Sequence, residues 1–440
     1  MLFDYRPLGE LLADKGYIRG PFGSALKRQE LKSHGVPVYE QQQAIDGHRN
    51  FRYFIDQVKY EELQRFTVRE NDLIVSCSGT VGRVSVIKPT DPIGVISQAL
   101  LILRPNILIL EPLFLYYFLT SPEGQLSLFA ASHGAVQQNI APRAVVEKIS
   151  TPLPSILEQK AIIALLKSLD DRITLLRESN KTLEAIAKAI FKSWFIEFDP
   201  VRAKIEGHAP TGIDKETAAQ FPDVLVESEL GMVPKGWSIA SIEEICSVIT
   251  NGGTPSRSSS EFWQSGSIPW YKTGDFSDGF LLEPSEKITH HALANSSVKL
   301  LPENAVLMAI YAAPTVGRLG VLTRPSTFNQ ACTGMVAKND VGTWFLYWAL
   351  YFARAWFNSR ANGAAQQNIS KAIVAAYKIT KPTEQLLSAF HELADPIHKK
   401  IRGNVEQIET LLALRDTLLP KLVSGKMRLT DSVAEIDLFM

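Results

Sequence analysis

The sequence lacks the features that mark several common classes of protein. Its only cysteines, Cys77, Cys246 and Cys332, are spaced as in neither a disulfide framework nor a zinc site, so buried free thiols are expected. The most apolar stretch, residues 99–120, is interrupted by Arg104 and falls short of the roughly 18 to 20 apolar residues of a membrane span. No basic region followed by an apolar one marks a secretory signal at the N-terminus. We expect a cytoplasmic protein without a membrane partner.

Motifs of common catalytic sites are missing as well. The sequence has no Walker A loop and no Gly-x-Ser-x-Gly elbow, and no metal-ligand spacing accompanies the neighbours His290 and His291. It also lacks the Asn/Asp-Pro-Pro-aromatic sequence with which amino-methyltransferases hold an extruded base. We therefore expect no catalysis, no metal site and no cofactor on this chain. The 46 basic and 46 acidic residues argue against a surface that binds polyanions everywhere, but not against a local DNA-binding face.

What the sequence does contain is a long internal repeat. Thr-Val-Gly-Arg at residues 80–83 recurs at 315–318, and Gly-Ala-x-Gln-Gln-Asn-Ile at 134–140 recurs at 363–369. The separation changes little along the chain, since Gly82 and Gly317 are 235 residues apart. Each copy is the size of a domain rather than of a solenoid repeat. Strand-like segments, turn signals and helical pieces alternate in both copies, which predicts mixed α/β domains.

A different pattern follows each copy. Residues 155–198 lack glycine and proline, and their apolar positions alternate in steps of four and three, which is the heptad pattern of a coiled coil. A helix of this length extends for about 65 Å. Residues 383–425 continue a similar pattern, in which Pro396 predicts a kink or a late helix start. The predicted seam residues are Leu166, Leu169, Ile173, Leu176, Asn180, Leu183 and Ile190 in the first helix, and Phe390, Leu393, Ile397, Asn404, Ile408, Leu411 and Leu418 in the second.

Two features of these helices leave alternatives open. Asn180 and Asn404 fall at equivalent seam positions, where a buried asparagine can fix the register of a coiled coil, although each could instead face water. Apolar residues off the seam could bind helices of partner proteins or be buried against the repeated domains. These residues are Leu165, Leu175, Ile186, Leu412 and Leu419.

These patterns predict an α+β fold class with pseudo-twofold symmetry. Two tandem mixed α/β domains would be separated by two long helices that pair as an antiparallel coiled coil. The predicted boundaries are 1–154 for the first domain, 155–198 for the first helix, 199–230 for a linker, 231–382 for the second domain, 383–425 for the second helix and 426–440 for a C-terminal tail.

Several side chains in the repeated segments suit recognition of DNA. Arg83 and Arg318 follow tight glycine turns, from which a guanidinium could bind guanine or phosphate, or simply lie on the surface. The Gln-Gln-Asn amides could read adenine edges or cap a helix, and the aromatic residues near position 39 and at 270–271 could stack on DNA or belong to a core. The candidate DNA-contacting residues are Arg19, Ser24, Lys27, Arg28, Tyr39, Thr80, Arg83, Gln137, Gln138, Asn139 and Arg143 in the first copy, and Thr254, Arg257, Trp270, Tyr271, Lys272, Thr315, Arg318, Gln366, Gln367, Asn368 and Lys371 in the second.

The chain resembles the specificity subunits of type I restriction-modification systems over almost its whole length. The resemblance rests on the repeated Gly-Ala-x-Gln-Gln-Asn-Ile, on Trp-Phe-Ile-Glu-Phe-Asp-Pro-Val-Arg-Ala-Lys at 194–204, on Ser-Glu-Leu-Gly-Met-Val-Pro-Lys-Gly-Trp at 228–237 and on Leu-Leu-Pro-Lys-Leu-Val-Ser-Gly at 418–425. In that family each recognition domain reads one half of a bipartite DNA sequence. The resemblance implies that the paired helices set the unread spacer.

The resemblance also implies partners and cofactors. Double-stranded DNA, two modification (methyltransferase) subunits and restriction (endonuclease and translocase) subunits would be the partners. S-adenosylmethionine, ATP and Mg would lie on those subunits, in a complex with adenine-specific DNA methyltransferase and ATP-dependent type I endonuclease activities. The alternative from another class is a coiled-coil scaffold whose duplicated domains bind protein partners.

Overall fold

A computed structural model describes residues 3–22, 25–130, 132–133, 139–140, 142–311, 315–360 and 368–429. The chain forms two compact units, of which the first comprises Met1–Thr174 with Glu409–Met440 and the second Leu175–Ile408. Both long helices contribute to both units. Among the described residues, none of the helices combines the length and the apolar character needed to cross a bilayer.

The first unit is built from small antiparallel and mixed sheets. Four strands pair in the order β2-β8-β5-β6 and three in the order β4-β3-β7, and β1 at the start of the first copy pairs with β11 at its end. The strands are β1 Asp4–Pro7, β2 Leu12–Arg19, β3 Val36–Tyr39, β4 Phe54–Ile55, β5 Leu73–Ser76, β6 Val84–Val86, β7 Val95–Ile96, β8 Leu100–Pro105, β9 Ser132–His133, β10 Asn139–Ile140 and β11 Ser150–Leu153. The helices are α1 Leu8–Leu11, α2 Gln41–Ile45, α3 Gln57–Glu62, α4 Pro112–Thr120, α5 Pro122–Ala130, α6 Arg143–Val146 and the first part of α7 Ile156–Lys192.

The second unit repeats this plan. Its strands are β12 Leu225–Ser228, β13 Gly231–Pro234, β14 Ser238–Ser241, β15 Cys246–Asn251, β16 Ile268–Tyr271, β17 Phe280–Leu281, β18 Glu286–Ile288, β19 Val306–Ala309, β20 Leu319–Leu322, β21 Thr327–Phe328, β22 Cys332–Ala337 and β23 Lys378–Lys381. Its helices are α8 Asp199–Ile205, α9 Lys215–Gln220, α10 Ile242–Ile245, α11 His290–Asn295, α12 Thr343–Arg360, α13 Lys371–Ala375 and most of α14 Glu384–Val423.

Strand order demonstrates the duplication directly. The order β2-β8-β5-β6 recurs as β15-β22-β19-β20, to which β17 is added at the edge, and β4-β3-β7 recurs as β18-β16-β21. The pair β1-β11 recurs as β14-β23. The prediction of two tandem mixed α/β domains with long helices is therefore confirmed.

The central strands are mostly apolar because both of their faces are covered. In β5, Leu73 and Val75 belong to the core that includes the long helices, whereas Ile74 packs into a second core on the opposite face. In β19, Val306 and Leu307 likewise belong to different cores. This alternation follows from the period of two along a strand.

The long helices run antiparallel in each unit. In the first unit, an Arg415 nitrogen donates to Asp170 Oδ1 at 3.0 Å, and Leu418 joins the core that contains Leu166. In the second unit, Asn404 Nδ2 donates to Asn180 Oδ1 at 2.7 Å. The residue numbers of the contacting positions therefore decrease on α14 as they increase on α7.

The predicted seam positions differ in burial. Two positions differ from the prediction. Leu393, which was predicted on the seam, is 45% exposed. Leu419, which was predicted to lie off the seam, is buried in the first unit's core rather than available to a partner. The neighbouring Ala394 is buried where Leu393 was expected, and α14 begins at Glu384 rather than at Pro396. Buried seam residues are Leu166, Leu169, Ile173, Leu176, Asn180, Phe390, Asn404, Ile408 and Leu418, whereas Leu183, Ile190, Ile397 and Leu411 are half-buried.

The segment predicted as a linker folds as part of the second unit. After α7, a π-helical turn at Ser193–Glu197 leads to Phe198, whose φ of 57° is left-handed and reverses the chain into α8. Val201 and Phe221 are buried in the second unit's core. The hairpin of β12 and β13 spans the boundary expected between residues 230 and 231.

The asparagine pair generates a stability prediction. Asn180→Leu should lower the free energy of unfolding of the second unit by about 1 to 3 kcal/mol, because Asn404 would be left buried without its partner. Urea unfolding of the full chain, followed by tryptophan fluorescence, measures the change. The double variant Asn180→Leu/Asn404→Leu should recover most of the loss, and a double variant no more stable than the single one would contradict the account.

Candidate nucleic-acid interface

The repeated sequences of the first unit meet at one end of its central sheet. The turn between β5 and β6 closes when Gly82 N donates to Ser76 O at 2.9 Å, and Gly82 has the left-handed φ of 81° that favours glycine. Beside it, Ile140 N donates to Cys77 O at 2.8 Å. The Thr-Val-Gly-Arg turn and the end of the Gln-Gln-Asn-Ile sequence are therefore neighbours.

A glycine-rich loop reaches the same end of this sheet. Gly20 follows β2, and its N–H donates to Leu100 O at 2.9 Å. A Cβ at Gly20 would lie 1.9 Å from Ser97 O, so only glycine allows this approach. The glycine-rich loop, the Thr-Val-Gly-Arg turn and the Gln-Gln-Asn-Ile sequence lie far apart along the chain. They thus meet at the same end of the sheet.

The second unit reproduces the arrangement. Gly317 also has a φ of 81°, and its N–H donates to Ala309 O at 2.9 Å. Ile369 N donates to Ile310 O at 3.0 Å. A Cβ at Gly252 would lie 2.2 Å from Phe328 O. The shared residues therefore build the same backbone frame twice.

The two turns differ in the side chain that holds them. In the first unit, the Gln125 amide donates to Gly82 O at 2.9 Å. In the second, Arg354 Nε donates to Gly317 O at 2.7 Å, and its guanidinium forms a forked ion pair with Asp278. Replacement of a neutral amide by an arginine paired with a carboxylate changes the charges beside an otherwise equivalent turn.

The comparisons with known proteins agree with this duplicated frame. The family model described as the type I restriction modification DNA specificity domain matches residues 23–185 and 234–407, which together are more than half of the chain. The chain belongs to this family. Each match contains one copy of the Thr-Val-Gly-Arg turn and of the Gln-Gln-Asn-Ile sequence.

Individual relatives carry the same description. The chain is 28% identical over 377 residues to the type I restriction enzyme HindI specificity subunit of Haemophilus influenzae. This match covers 76% of the chain and 81% of that protein. The chain is 26% identical over 296 residues to the MjaIX specificity subunit of Methanocaldococcus jannaschii, with 65% and 62% covered. The crystal structure of a type I S subunit from M. genitalium has a similar fold, with a TM-score of 0.60, 16% identity and 96% of each chain covered.

The candidate cations of the first copy are mostly exposed. Arg83, Lys27 and Arg28 all lie on the surface. Arg143 is exposed too, but its Nε donates to Glu147 at 2.7 Å. Arg19 is half-buried, and its guanidinium carbon lies 5.6 Å from the centre of the exposed Phe22 ring. Apart from Arg143, these cations therefore have no carboxylate partner within the described residues.

Two of the candidate cations of the second copy are instead paired with a carboxylate. Arg257 and Lys272 both bind Glu286, with Lys272 Nζ 2.7 Å from its Oε2. These two bonds, first that of Arg257 and then that of Lys272, lower the pKa of Glu286 to about 2. The Arg257 guanidinium carbon also lies 3.8 Å from the centre of the Trp263 ring, which fixes the plane of the guanidinium. Lys371 is exposed, and Arg318 is half-buried.

The remaining polar candidates have varied environments. Thr254 donates to Gln330, Thr315 Oγ1 donates to Tyr311 O at 3.0 Å, and Thr80 is exposed. Asn368 pairs with Tyr311 through the backbone, and its buried Oδ1 has no hydrogen-bond partner among the described residues. Ser24, Gln137, Gln138, Gln366, Gln367 and the side chain of Asn139 lie outside what the structure describes.

Three aromatic candidates are corrected by the structure. Tyr39, Trp270 and Tyr271 are at most 2% exposed, so their rings cannot stack on DNA. Their polar atoms are also used internally, since Tyr39 donates to Pro92 O at 2.7 Å and Trp270 to Gly253 O at 2.9 Å. Their positions in β3 and β16, which pair on both sides, explain the burial.

Some residues of this edge are not evident from the sequence. Gln125, Arg354 and Asp278 support the turns, and Glu286 forms ion pairs with two cations. Each comes from a divergent part of the repeat, so no shared motif marks it. Glu286 could have been located only from the strand pairing, in which it lies opposite Trp270 across β16 and β18.

The cysteines form no site of their own. Cys77, Cys246 and Cys332 are buried and free, as the spacing predicted, and burial raises the pKa of Cys77 to about 12. Across the described ranges, no group of three or more His, Cys, Asp or Glu residues is placed to hold a metal ion.

The arginine that supports the second turn can be tested by hydrogen exchange. Arg354→Met should weaken protection of the Gly317 amide by about 2 kcal/mol, because it removes charged hydrogen bonds to Gly317 O and Asp278. Arg360→Met, on the exposed end of the same helix, is the matched control. Exchange at Gly82 should not change. Equal protection of Gly317 in the two variants would refute the role of Arg354.

Proposed function

We propose that this chain is the noncatalytic DNA-reading subunit of a type I restriction-modification complex, in which each copy of the frame reads one half of a bipartite, asymmetric target. The proposal rests on the end of the central sheet that is built alike in both units. There a glycine turn places Arg83, or Arg318 in the second copy, beside the end of the Gln-Gln-Asn-Ile sequence. Membership of the specificity-domain family supports the same assignment.

The shared frame and the divergent side chains would have different tasks. Backbone groups of the shared frame suit phosphate contacts, which position a protein without reading sequence. Side chains from the divergent stretches, such as Lys27 and Arg28 against Arg257, suit half-site-specific reading. The two half-sites are therefore expected to differ.

The partners follow from the proposed role. The complex would contain double-stranded DNA, two modification subunits and restriction subunits, with S-adenosylmethionine, ATP and Mg bound by those subunits. Leu175 and Ile186 on α7 are 55% and 45% exposed, which suits docking of partner helices. Leu165 packs partly against the first unit's core and is a weaker candidate.

Selection from random duplexes tests the proposal. The full chain, in complex with its modification subunits, should enrich two unlike half-sites at one fixed separation. Enrichment of no sequence, with equal binding of every duplex, would reject the reading function and favour a scaffold that binds proteins.

The two arginines should act on different half-sites. Arg83→Ala should weaken binding by about 1 to 3 kcal/mol and relax selection in one half-site, and Arg318→Ala should do so in the other, if each guanidinium makes a forked contact with a base. Fluorescence anisotropy with the selected duplex and single-base variants measures both effects. Uniform weakening on every duplex would instead assign the arginines to phosphate contacts.

Glu286 should limit the electrostatic attraction of the second copy for DNA. Glu286→Gln releases Arg257 and Lys272, so affinity for any duplex should rise and its salt dependence should steepen by about one to two units of slope. Because the pKa of Glu286 is about 2, its carboxylate stays charged from pH 5 to 8 and should add no pH dependence there. Glu261→Gln, an exposed acidic residue nearby in sequence, is the control. Equal salt slopes for the two variants would contradict this role.

A further inference from the structure

The glycine-rich loop of the first copy carries an exposed aromatic ring. Phe22 is 66% exposed, whereas the three aromatic residues predicted to contact DNA are all buried. Single apolar side chains are common on protein surfaces, so the exposure of Phe22 alone indicates no function. Its position is more informative, because the loop lies at the same end of the central sheet as the repeated sequences.

The backbone of this loop is fixed to the sheet just before the ring. Gly20 N donates to Leu100 O at 2.9 Å, and a Cβ at Gly20 would lie 1.9 Å from Ser97 O. Pro21 follows and restricts φ to about −65°. Because the backbone is already ordered, Phe22 would lose less conformational entropy on binding than a residue of a free loop.

Arg19 lies between the ring and the repeated sequences. Its guanidinium carbon is 5.6 Å from the centre of the Phe22 ring, which suits a cation–π interaction. Burial raises the pKa of Cys77 and the charge of Arg19 opposes this shift, so the guanidinium is also close to the Cys77 thiol. Cys77 O in turn accepts the hydrogen bond from Ile140 N, at the end of the Gln-Gln-Asn-Ile sequence. Phe22 is therefore connected to the frame through one side chain.

The second copy has no ring at the equivalent position. Arg19 and Asn251 end β2 and β15, and they occupy equivalent places in the pairing with β8 and β22. Three residues further along, Phe22 therefore corresponds to Thr254. The hydroxyl of Thr254 donates to the side chain of Gln330. An exposed apolar side chain in one copy thus replaces a polar, internally bonded one in the other.

The chemistry of the ring limits what it can recognise in DNA. Phe22 has no hydrogen-bonding side-chain atom, so it cannot read the donors and acceptors of the base edges. The apolar group that bases present in the major groove is the 5-methyl group of thymine, and phenylalanine is among the side chains that contact it. Lys27 and Arg28, close by in the sequence, are exposed and suit the flanking phosphates.

We propose that Phe22 contacts a thymine methyl group in the half-site read by the first copy and thereby helps to specify an A·T pair. This role rests on the proposed reading of DNA by the two copies. It adds a specificity-determining residue that lies outside the sequences shared by the repeats.

Replacement of thymine by deoxyuridine tests the role of Phe22, because it removes only the methyl group. The full chain with its modification subunits should bind the selected duplex about three- to tenfold more weakly when one thymine is replaced in the half-site that depends on Arg83. Phe22→Ala should lose about as much affinity on the original duplex, and nothing further on the deoxyuridine duplex. Phe22→Leu, which keeps an apolar side chain, should retain most of the dependence on the methyl group. Fluorescence anisotropy measures all of these affinities.

Leu108→Ala is the matched control, because Leu108 is 80% exposed and follows β8 at the opposite end of the sheet. It should bind both duplexes like the original chain. Equal affinities of Phe22→Ala and Leu108→Ala, additive losses on the deoxyuridine duplex, or a first half-site without an A·T pair would overturn the role of Phe22. A rise in 2-aminopurine fluorescence on binding that Phe22→Ala abolishes would overturn it too, because that signal reports a ring inserted between base pairs. In each of these outcomes one duplex is still selected, whereas failure of the proposed reading function would leave none selected.

Discussion

The packing of α14 against both units is the constraint on which the rest of the fold depends. Its last turns supply Leu414, Leu418 and Leu422 to the core of the first unit, a core that begins with Leu8. Its earlier part supplies Leu387 and Phe390 to the core of the second unit. Neither copy of the repeat therefore completes its core from its own consecutive residues. The duplicated domains and the long helices must form together, because each buries apolar surface that the other would leave exposed to water.

The seam combines this apolar packing with one polar interaction. Asn180 and Asn404 are 7% and 1% exposed and satisfy each other across the pair of helices in the second unit. A slip along either helix would bury an amide without its partner, so the hydrogen bond selects one register at some cost in stability. A defined register matters for a protein whose two copies would have to contact one DNA duplex.

The sequence predicted the architecture better than the site. Heptad spacing was sufficient to predict the two long helices, because it is a local periodic signal. The repeat was sufficient to predict the tandem domains, because it is visible when the two halves of the sequence are compared. Burial of Tyr39, Trp270 and Tyr271 depends on strands that pair from both sides, which a local pattern does not reveal. Leu393 fits the heptad, yet Ala394 is buried instead. Arg257 and Lys272 meet Glu286 only in the folded chain, so the sequence does not reveal that one carboxylate reduces the charge of these two cations.

The central claim is that two similar frames carry different half-site readers. Mapping methylated adenines in the DNA of cells that express this chain with its modification subunits tests that claim most directly. The account predicts methylation within one bipartite motif whose two halves differ in sequence and are separated by a spacer of constant length. Methylation of a single continuous motif, or of a motif with two identical halves, would contradict it.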